Sequence, residues 1–183
     1  MFYFLKPRRG TISRFILEQK KQLYSYAGVG ASREKAPAGY TIDHNRLQLG
    51  HGIDVYERAK IAIRRWKMFD MPWIELCWPD IPIEVNSTIA ALIRHLGFWS
   101  LNAARIVYLL QAQGQVHKYG FAYGTLPGHA EHGEERFTVE FNVEDQSVWY
   151  DLYGYSRPGF LAALGYPFTR YLQKKFATDS KPR

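Results

Sequence analysis

The segment from residue 119 to residue 137 constrains the fold of this chain more than any other part of the sequence. An aromatic stretch is followed by a loop punctuated with glycine and proline, and then by a second stretch suited to a strand. Glycine tolerates positive φ angles, whereas Pro127 fixes its own φ and restricts Leu126. A simple hairpin needs only two turn residues. The longer connection, which carries His129, Glu131 and His132, therefore predicts a functional site or the rim of one.

Hydrophobic periodicity predicts a chain of mixed structure with six consecutive strands. Strict alternation of apolar residues runs from residue 136 to 143, and three segments show the three-and-four spacing of amphipathic helices. Thr11 or Ser13 is expected to cap the first helix. We predict helices over residues 12–24, 53–69 and 160–176, a loop over 27–39, and strands over 40–49, 73–78, 88–96, 103–112, 116–125, 136–143 and 147–155.

The order of these elements resembles the helix-grip fold of the START and birch-allergen-like superfamily. A long antiparallel sheet cannot bury both of its faces alone, so it needs a helix across one of them. We therefore predict an α+β protein with a curved antiparallel sheet of about seven strands wrapped on a long C-terminal helix, with an extra N-terminal helix. The expected divisions are an N-terminal helical extension and loop (1–35), a helix-grip domain (36–178) and a frayed tail (179–183).

Short motifs in a fixed order carry a second resemblance. The sequence reads YGTLPGHAEHGEERF over residues 123–137, YAGVGASR over 26–33 and PAGY over 37–40. A glycine-histidine-glycine turn at 50–52 and the residues YSRP at 155–158 continue the pattern. The whole pattern resembles the signature of the family called domain of unknown function DUF1990, over about residues 22–178. This resemblance implies the same architecture and supplies no substrate.

A net charge of +7 admits nucleic acids or anionic membrane surfaces as partners. The lysines and arginines are dispersed, however, and no zinc-finger or basic-zipper pattern accompanies them. We expect solvated helix faces and no specific nucleic-acid partner, while an interaction module for anionic surfaces stays open as a further alternative. The sequence has no Walker A loop, and Gly28-Val29-Gly30 lacks the context of a dinucleotide fingerprint, so we expect no cofactor.

Cysteine usage and the first residues bear on the compartment. Cys77 is the single cysteine, which rules out an internal disulfide framework, and its apolar neighbours predict a buried structural thiol. The first nine residues are apolar and then basic, the reverse of a secretory signal. No apolar run approaches the ~20 residues needed to span a bilayer. We expect a cytoplasmic protein without a transmembrane segment, and the sequence leaves its oligomeric state open.

Three side chains of the glycine-rich segment are candidates for acid–base catalysis, namely His129, Glu131 and Glu134. Glu134 and Glu135 begin a strand, so one should point inward and the other outward. A desolvated carboxylate acquires a raised pKa and can serve as a general acid or base. The spacing of His129, Glu131 and His132 does not match a helical metal motif, so we expect a structural loop and no metal.

Aromatic residues make up 16% of the chain, and those on neighbouring strands predict either a pocket lining or a solid core. Arg157 follows a residue that can cap the last helix, and its guanidinium suits either an ion pair or a ligand carboxylate or phosphate. The residues expected to bind a ligand are Tyr108, Phe121, Tyr123, Thr125, His129, Tyr153 and Arg157.

The leading functional hypothesis is a protein that binds or carries a small hydrophobic or lipid-like molecule in a pocket between the sheet and the C-terminal helix. The alternative is an enzyme that uses the acid–base chemistry of His129, Glu131 or Glu134 in the same pocket. Neither the identity of the ligand nor the occurrence of a reaction follows from the residues alone.

Overall fold

The computed structural model describes residues 1–95 and 97–158. This part of the chain contains two α-helices, α1 (Arg9–Gln19) and α2 (Ile53–Arg64), and 3₁₀ turns at Ala31–Arg33 and Lys67–Phe69. Its strands are β1 (Phe2–Tyr3), β2 (Thr41–His51), β3 (Ile74–Cys77), β4 (Thr88–Arg94), β5 (Trp99–Ala112), β6 (Val116–Thr125), β7 (Glu131–Asn142) and β8 (Ser147–Pro158). The helix predicted over residues 160–176 lies outside the described residues.

These strands form one antiparallel sheet with the order β2-β8-β7-β6-β5-β4-β3, and β1 pairs with β5. Neighbours along the chain are neighbours in space from β3 to β8, as short connections favour. The first long strand, β2, completes the sheet by pairing with the last, β8. The predicted α+β class and the run of six consecutive strands are confirmed.

The two faces of the sheet bury separate cores. On one face, here called the α2 face, Tyr56 and Ile63 of α2 pack against Phe137 and Leu152. On the opposite face, here called the N-terminal face, Phe15 of α1 packs among the residues of β4 and β5. Residues 24–36 cover the same N-terminal face over β7 and β8. Because strand side chains alternate, each strand contributes to both cores.

Both helices are shorter than the sequence predicts. Helix α1 begins at Arg9, so neither Thr11 nor Ser13 occupies its cap, and the side chain of Leu23 is 84% exposed beyond its end. Helix α2 ends at Arg64 because Trp66 adopts a left-handed conformation with φ 57°. The turn lets Trp66 and Phe69 enter the core of the α2 face, although the helical continuation is lost.

Three glycines of the β6–β7 segment permit close approaches that a larger residue would block. A Cβ atom at Gly120 would lie 2.0 Å from the Phe137 carbonyl oxygen, and one at Gly133 would lie 1.9 Å from the Tyr155 carbonyl oxygen. At Gly124, the obstacle would be the Tyr26 hydroxyl, at 2.1 Å. These three glycines are therefore explained by packing across neighbouring strands and against Tyr26.

Neither of the helices in the described residues is long and apolar enough to span a membrane.

Candidate functional site

The alternation of side chains along β6 and β7 divides the glycine-rich segment into two sets. Gly124, Glu134 and Arg136 lie on the N-terminal face, whereas Tyr123 and Glu135 lie on the α2 face. The register fixes this division, because Tyr123 pairs with Glu135 and Gly124 pairs with Glu134. Adjacent glutamates therefore enter different chemical environments.

Glu134 is 2% exposed and receives four hydrogen bonds from residues 26–32. The Tyr26 hydroxyl and the Gly30 N–H donate to Oε2 at 2.6 and 2.7 Å. The Ser32 N–H donates to Oε1 at 3.0 Å, and the Ser32 hydroxyl donates to the same oxygen. Such a set of donors compensates for the burial of the carboxylate, and it ties the N-terminal segment to the sheet.

Further contacts extend this attachment around Ser32. The Tyr108 hydroxyl lies 2.7 Å from the Ser32 hydroxyl, and the Arg33 guanidinium stacks on the Tyr108 ring. Arg136 donates to the Ser32 carbonyl at 2.8 Å and to Asp151 at 3.0 Å. The N-terminal face of β7 therefore serves mainly to hold residues 24–36 in place.

Glu135 has a different environment on the α2 face. The Tyr123 hydroxyl donates to its Oε2 at 2.5 Å. The Tyr123 ring stacks on Phe69 with centroids 6.2 Å apart and contacts Phe137 at 5.5 Å. The carboxyl group is therefore a polar element at the border of an aromatic core.

Burial raises the pKa of Glu135, the negative charges of Glu131 and Asp43 raise it as well, and the Tyr123 hydrogen bond lowers it. The net result is a pKa of about 8. Burial also raises the pKa of Tyr123 well above its usual value. At neutral pH, Glu135 is therefore mostly a neutral carboxylic acid and Tyr123 a neutral phenol. A carboxyl group that titrates near the working pH is suited to proton transfer.

The loop between β6 and β7 places His129 and Glu131 at the same end of the sheet. The His129 N–H of the backbone donates to the Leu126 carbonyl at 2.8 Å, and the His129 Nδ1 accepts from the Glu131 N–H at 3.0 Å. Burial, with the nearby Met1 ammonium, lowers the pKa of His129 to about 3. The imidazole is thus neutral, and its Nδ1 atom accepts a hydrogen bond that helps to hold the conformation of the loop.

The structure disperses the other residues that the sequence grouped as ligand contacts. Phe121 is fully buried in the core of the α2 face, where its ring meets Trp66 at 5.1 Å. Thr125 lies at the end of β6, and its hydroxyl bonds to Ser25 and accepts from the Gly133 N–H.

Tyr108, Tyr153 and Arg157 lie on the N-terminal face, away from Tyr123. Tyr153 stacks with Arg136 at 5.2 Å, and Arg157 lies over the Tyr40 ring at 5.2 Å. Glu134, a catalytic candidate from the sequence, lies on this face as well, so it does not share a pocket with Tyr123. Glu135 is the glutamate of this pair that lies on the same face as Tyr123.

From the sequence, Glu134 and Glu135 are expected on opposite sides of a strand, but only Glu134 was a catalytic candidate, and Asp43 was not among the candidates. The register aligns Glu135 and Asp43 on either side of Gly154, because each of them pairs with that glycine. The alternation that runs from Phe137 back along β7 was the available signal for Glu135. Asp43 offered no comparable signal, because β2 joins β8 only in the folded chain.

Within residues 1–95 and 97–158, no group of three His, Cys, Asp or Glu side chains is arranged to hold a metal ion. Cys77 is buried, and burial raises the pKa of its thiol to about 12. The thiol is therefore protonated and unsuited to nucleophilic attack.

The chain belongs to the family described as domain of unknown function (DUF1990), which matches residues 25–182. A UPF0548 protein of Dictyostelium discoideum is 35% identical over 201 residues, which cover 98% of this chain and 92% of that protein. A UPF0548 protein of Deinococcus radiodurans is 34% identical over 185 residues, with 94% and 88% covered. The family suggested by the sequence motifs is confirmed.

Solved structures also show some similarity to this chain. Hypothetical protein jhp0584 from Helicobacter pylori gives a TM-score of 0.48 at 8% identity, over 87% of this chain and 95% of that one. Norcoclaurine synthase from Thalictrum flavum, in complex with dopamine and hydroxybenzaldehyde, gives a TM-score of 0.42 at 10% identity, over 87% and 92%. Similarity of this degree carries no argument about function.

Proposed function

We propose that this protein binds a small, largely apolar molecule on the α2 face, with the Tyr123–Glu135 pair as its polar contact. The observation that supports this proposal is the pKa of about 8 for a carboxyl group beside a phenol and an aromatic core. A protonated carboxyl donates and accepts hydrogen bonds without the desolvation cost of a charge. It therefore suits a ligand with an apolar body and a single hydroxyl or carbonyl group.

The proposed pocket occupies one end of the α2 face. Around Phe121 and Phe137 this face is filled by α2 and the turn after it, since both rings are fully buried. Glu131 and Glu135, by contrast, are only partly buried. We place the ligand at this end of the face, beside the Tyr123–Glu135 pair.

A fluorescence titration with the neutral hydrophobic probe N-phenyl-1-naphthylamine tests this proposal. Ionisation of Glu135 would bring a charge into the pocket, so we expect the Kd of the probe to rise by about tenfold between pH 6 and pH 9. In Glu135→Gln, this pH dependence should disappear. In the control Glu144→Gln, which changes an exposed carboxylate beyond the end of β7, it should persist. Absence of saturable binding to the folded wild type, or an equal pH dependence in Glu135→Gln, would reject the site.

Acid–base catalysis in the same pocket is a second candidate function, because a carboxyl group with a pKa of about 8 can also transfer a proton near neutral pH. In this version Glu135 transfers the proton and Tyr123 holds its carboxyl group in position, while Glu134 has only a structural part. Incubation of a cell metabolite extract with the wild type and with Glu135→Gln, followed by mass spectrometry, separates the two functions. Turnover of a compound by the wild type alone indicates an enzyme, and enrichment of a compound without turnover indicates a carrier.

A further inference from the structure

We propose a second binding site, for a small organic anion with a short apolar chain, in a cleft between the end of α1 and the connection from β3 to β4. The cleft has a volume of about 700 Å³. Its lining residues are Lys20, Ile81, Pro82, Val85, Asn86, Ser87, Thr88 and Arg105. Both charged side chains in this lining are cations, so the cleft favours an anionic ligand.

Arg105 is held in a fixed position at one side of the cleft. Its Nη2 atom donates to the Gln19 carbonyl at 3.1 Å and to the Lys20 carbonyl at 3.0 Å. The guanidinium also lies 5.5 Å from the Tyr24 ring centroid. Within residues 1–95 and 97–158, its Nη1 atom makes no hydrogen bond. The Arg105 Nε atom donates to the Thr88 hydroxyl at 3.4 Å, so the guanidinium is held in place and its Nη1 group can donate to a carboxylate or phosphate at little entropic cost.

Lys20 and the hydroxyl groups of β4 complete the polar side. Lys20 is the residue directly after α1, and it is exposed. Ser87 and Thr88 line the same cleft at the start of β4, where the Ile106 N–H donates to the Ser87 carbonyl at 2.9 Å. An ammonium group, a guanidinium and two hydroxyls can together bind the oxygen atoms of one anionic head group.

The opposite side of the cleft is apolar and firmly attached to the protein. Val85 is 50% exposed, while Ile81 and Pro82 line the same surface. The indole N–H of Trp66 donates to the Ile81 carbonyl at 3.0 Å, which fixes this wall to the core. Apolar surface beside paired cations distinguishes a carboxylate with a hydrocarbon chain from a small inorganic ion.

Titration of ¹⁵N-labelled protein with sodium hexanoate, followed by NMR, tests this site. We expect saturable shifts of the amide signals of Ser87 and Thr88, and weaker binding of acetate, which cannot cover Val85. Lys20→Gln should raise the Kd for hexanoate about fivefold to tenfold. Lys21→Gln is the matched control, because Lys21 is exposed beside Lys20 and does not line the cleft.

The same titration gives outcomes that would overturn the proposal. Equal weakening of hexanoate binding by Lys20→Gln and Lys21→Gln would indicate only a general effect of positive charge. Amide shifts that do not saturate would indicate that there is no binding site. Val85→Ser keeps the polar side of the cleft intact, so it should weaken the binding of hexanoate and leave the binding of acetate unchanged. Glu135→Gln should leave hexanoate binding at the cleft unchanged, because the two proposed sites share no residue.

Discussion

Glu134 and Glu135 are adjacent in sequence, yet the sheet places them in opposite roles. Glu134 faces residues 26–32, which supply it with four hydrogen-bond donors. Glu135 faces the α2 side, where the Tyr123 hydroxyl is its donor in the described residues and its pKa rises to about 8. The first carboxyl group holds residues 26–32 against the sheet, and the raised pKa of the second keeps it mostly neutral at pH 7.

This difference divides the residues of one signature between two faces of the sheet. Gly124 and Glu134 are accounted for by the attachment of residues 24–36 to the sheet, and Gly120 and Gly133 by close approach to neighbouring strands. That attachment does not require Tyr123 or Glu135, because both point to the other face. A side chain that packing does not explain is the better candidate for a functional role.

Removal of Glu134 should produce the largest effect on stability. Glu134→Ala leaves the Tyr26 hydroxyl and two backbone N–H groups without their acceptor in a buried region, so we expect the free energy of unfolding to fall by about 4 kcal/mol. Urea denaturation monitored by circular dichroism measures this loss. Glu144→Ala, at an exposed position beyond β7, should change the stability by less than about 0.5 kcal/mol. Equal stability of the two variants would contradict the structural role of Glu134.

Gly124→Ala should have the next largest effect, because its Cβ atom would lie 2.1 Å from the Tyr26 hydroxyl. We expect a loss of about 3 kcal/mol in the free energy of unfolding. The Tyr26→Ala background removes the obstacle, so Gly124→Ala should cost much less there. A double-mutant cycle measures this coupling, and additive effects would contradict the packing of Tyr26 on Gly124.

Glu135→Gln should increase the free energy of unfolding at alkaline pH, whereas the two substitutions above decrease it. The pKa of Glu135 is raised from 4.5 to about 8 in the fold, so between these values the folded state keeps a proton that the unfolded chain releases. The free energy of unfolding therefore falls as the pH rises through this range, and it levels off above pH 8. Allowing for partial exposure, we expect Glu135→Gln to be more stable than the wild type by about 2 kcal/mol at pH 9.

Denaturation midpoints of both proteins at pH 5 and pH 9 measure this effect. The difference between them should grow with pH, whereas Glu144→Gln should follow the wild type at both values. A constant difference between Glu135→Gln and the wild type would show that the carboxyl group is already ionised at pH 5.

Tyr123→Phe should give the smallest effect, a further rise in the pKa of Glu135. The Tyr123 hydroxyl donates to the ionised carboxylate and thereby lowers this pKa, so its removal should raise the value by about one unit. Carbon-13 NMR of the carboxyl group measures the shift. Tyr119→Phe is a suitable comparison. Tyr119 lies on β6 like Tyr123, but its hydroxyl accepts a hydrogen bond from Arg64 of α2 at 3.0 Å and does not contact Glu135. A similar shift in both variants would argue against a specific Tyr123–Glu135 bond.

Local patterns were sufficient to predict the sheet. Alternation located β7 and β8, and the bounds predicted for β6 agree with the structure at both ends. The ends of the helices were harder to predict. Trp66 adopts the left-handed conformation that ends α2, yet a tryptophan does not signal such a conformation in the sequence as a glycine would. The capping of α1 was predicted incorrectly because the helix begins two residues before Thr11.

The site was harder to predict than the sheet. A bulge between Ile106 and Tyr108 shifts the register of β5, so two residues that simple alternation assigns to one face lie on opposite faces. Tyr108 therefore meets Ser32 and not the proposed ligand pocket. Alternation from Phe137 places Glu135 on the α2 face, but it does not show that residues 24–36 cover Glu134 on the other face, because that docking is a long-range contact.

A direct titration of Glu135 tests the central claim most simply. In carbon-13 NMR spectra of the wild-type protein, the carboxyl signal assigned through Glu135→Gln should titrate with a midpoint near pH 8. That result would establish a neutral acid on the α2 face at physiological pH. A midpoint below about pH 5, close to the ordinary value for glutamate, would contradict the account of this site.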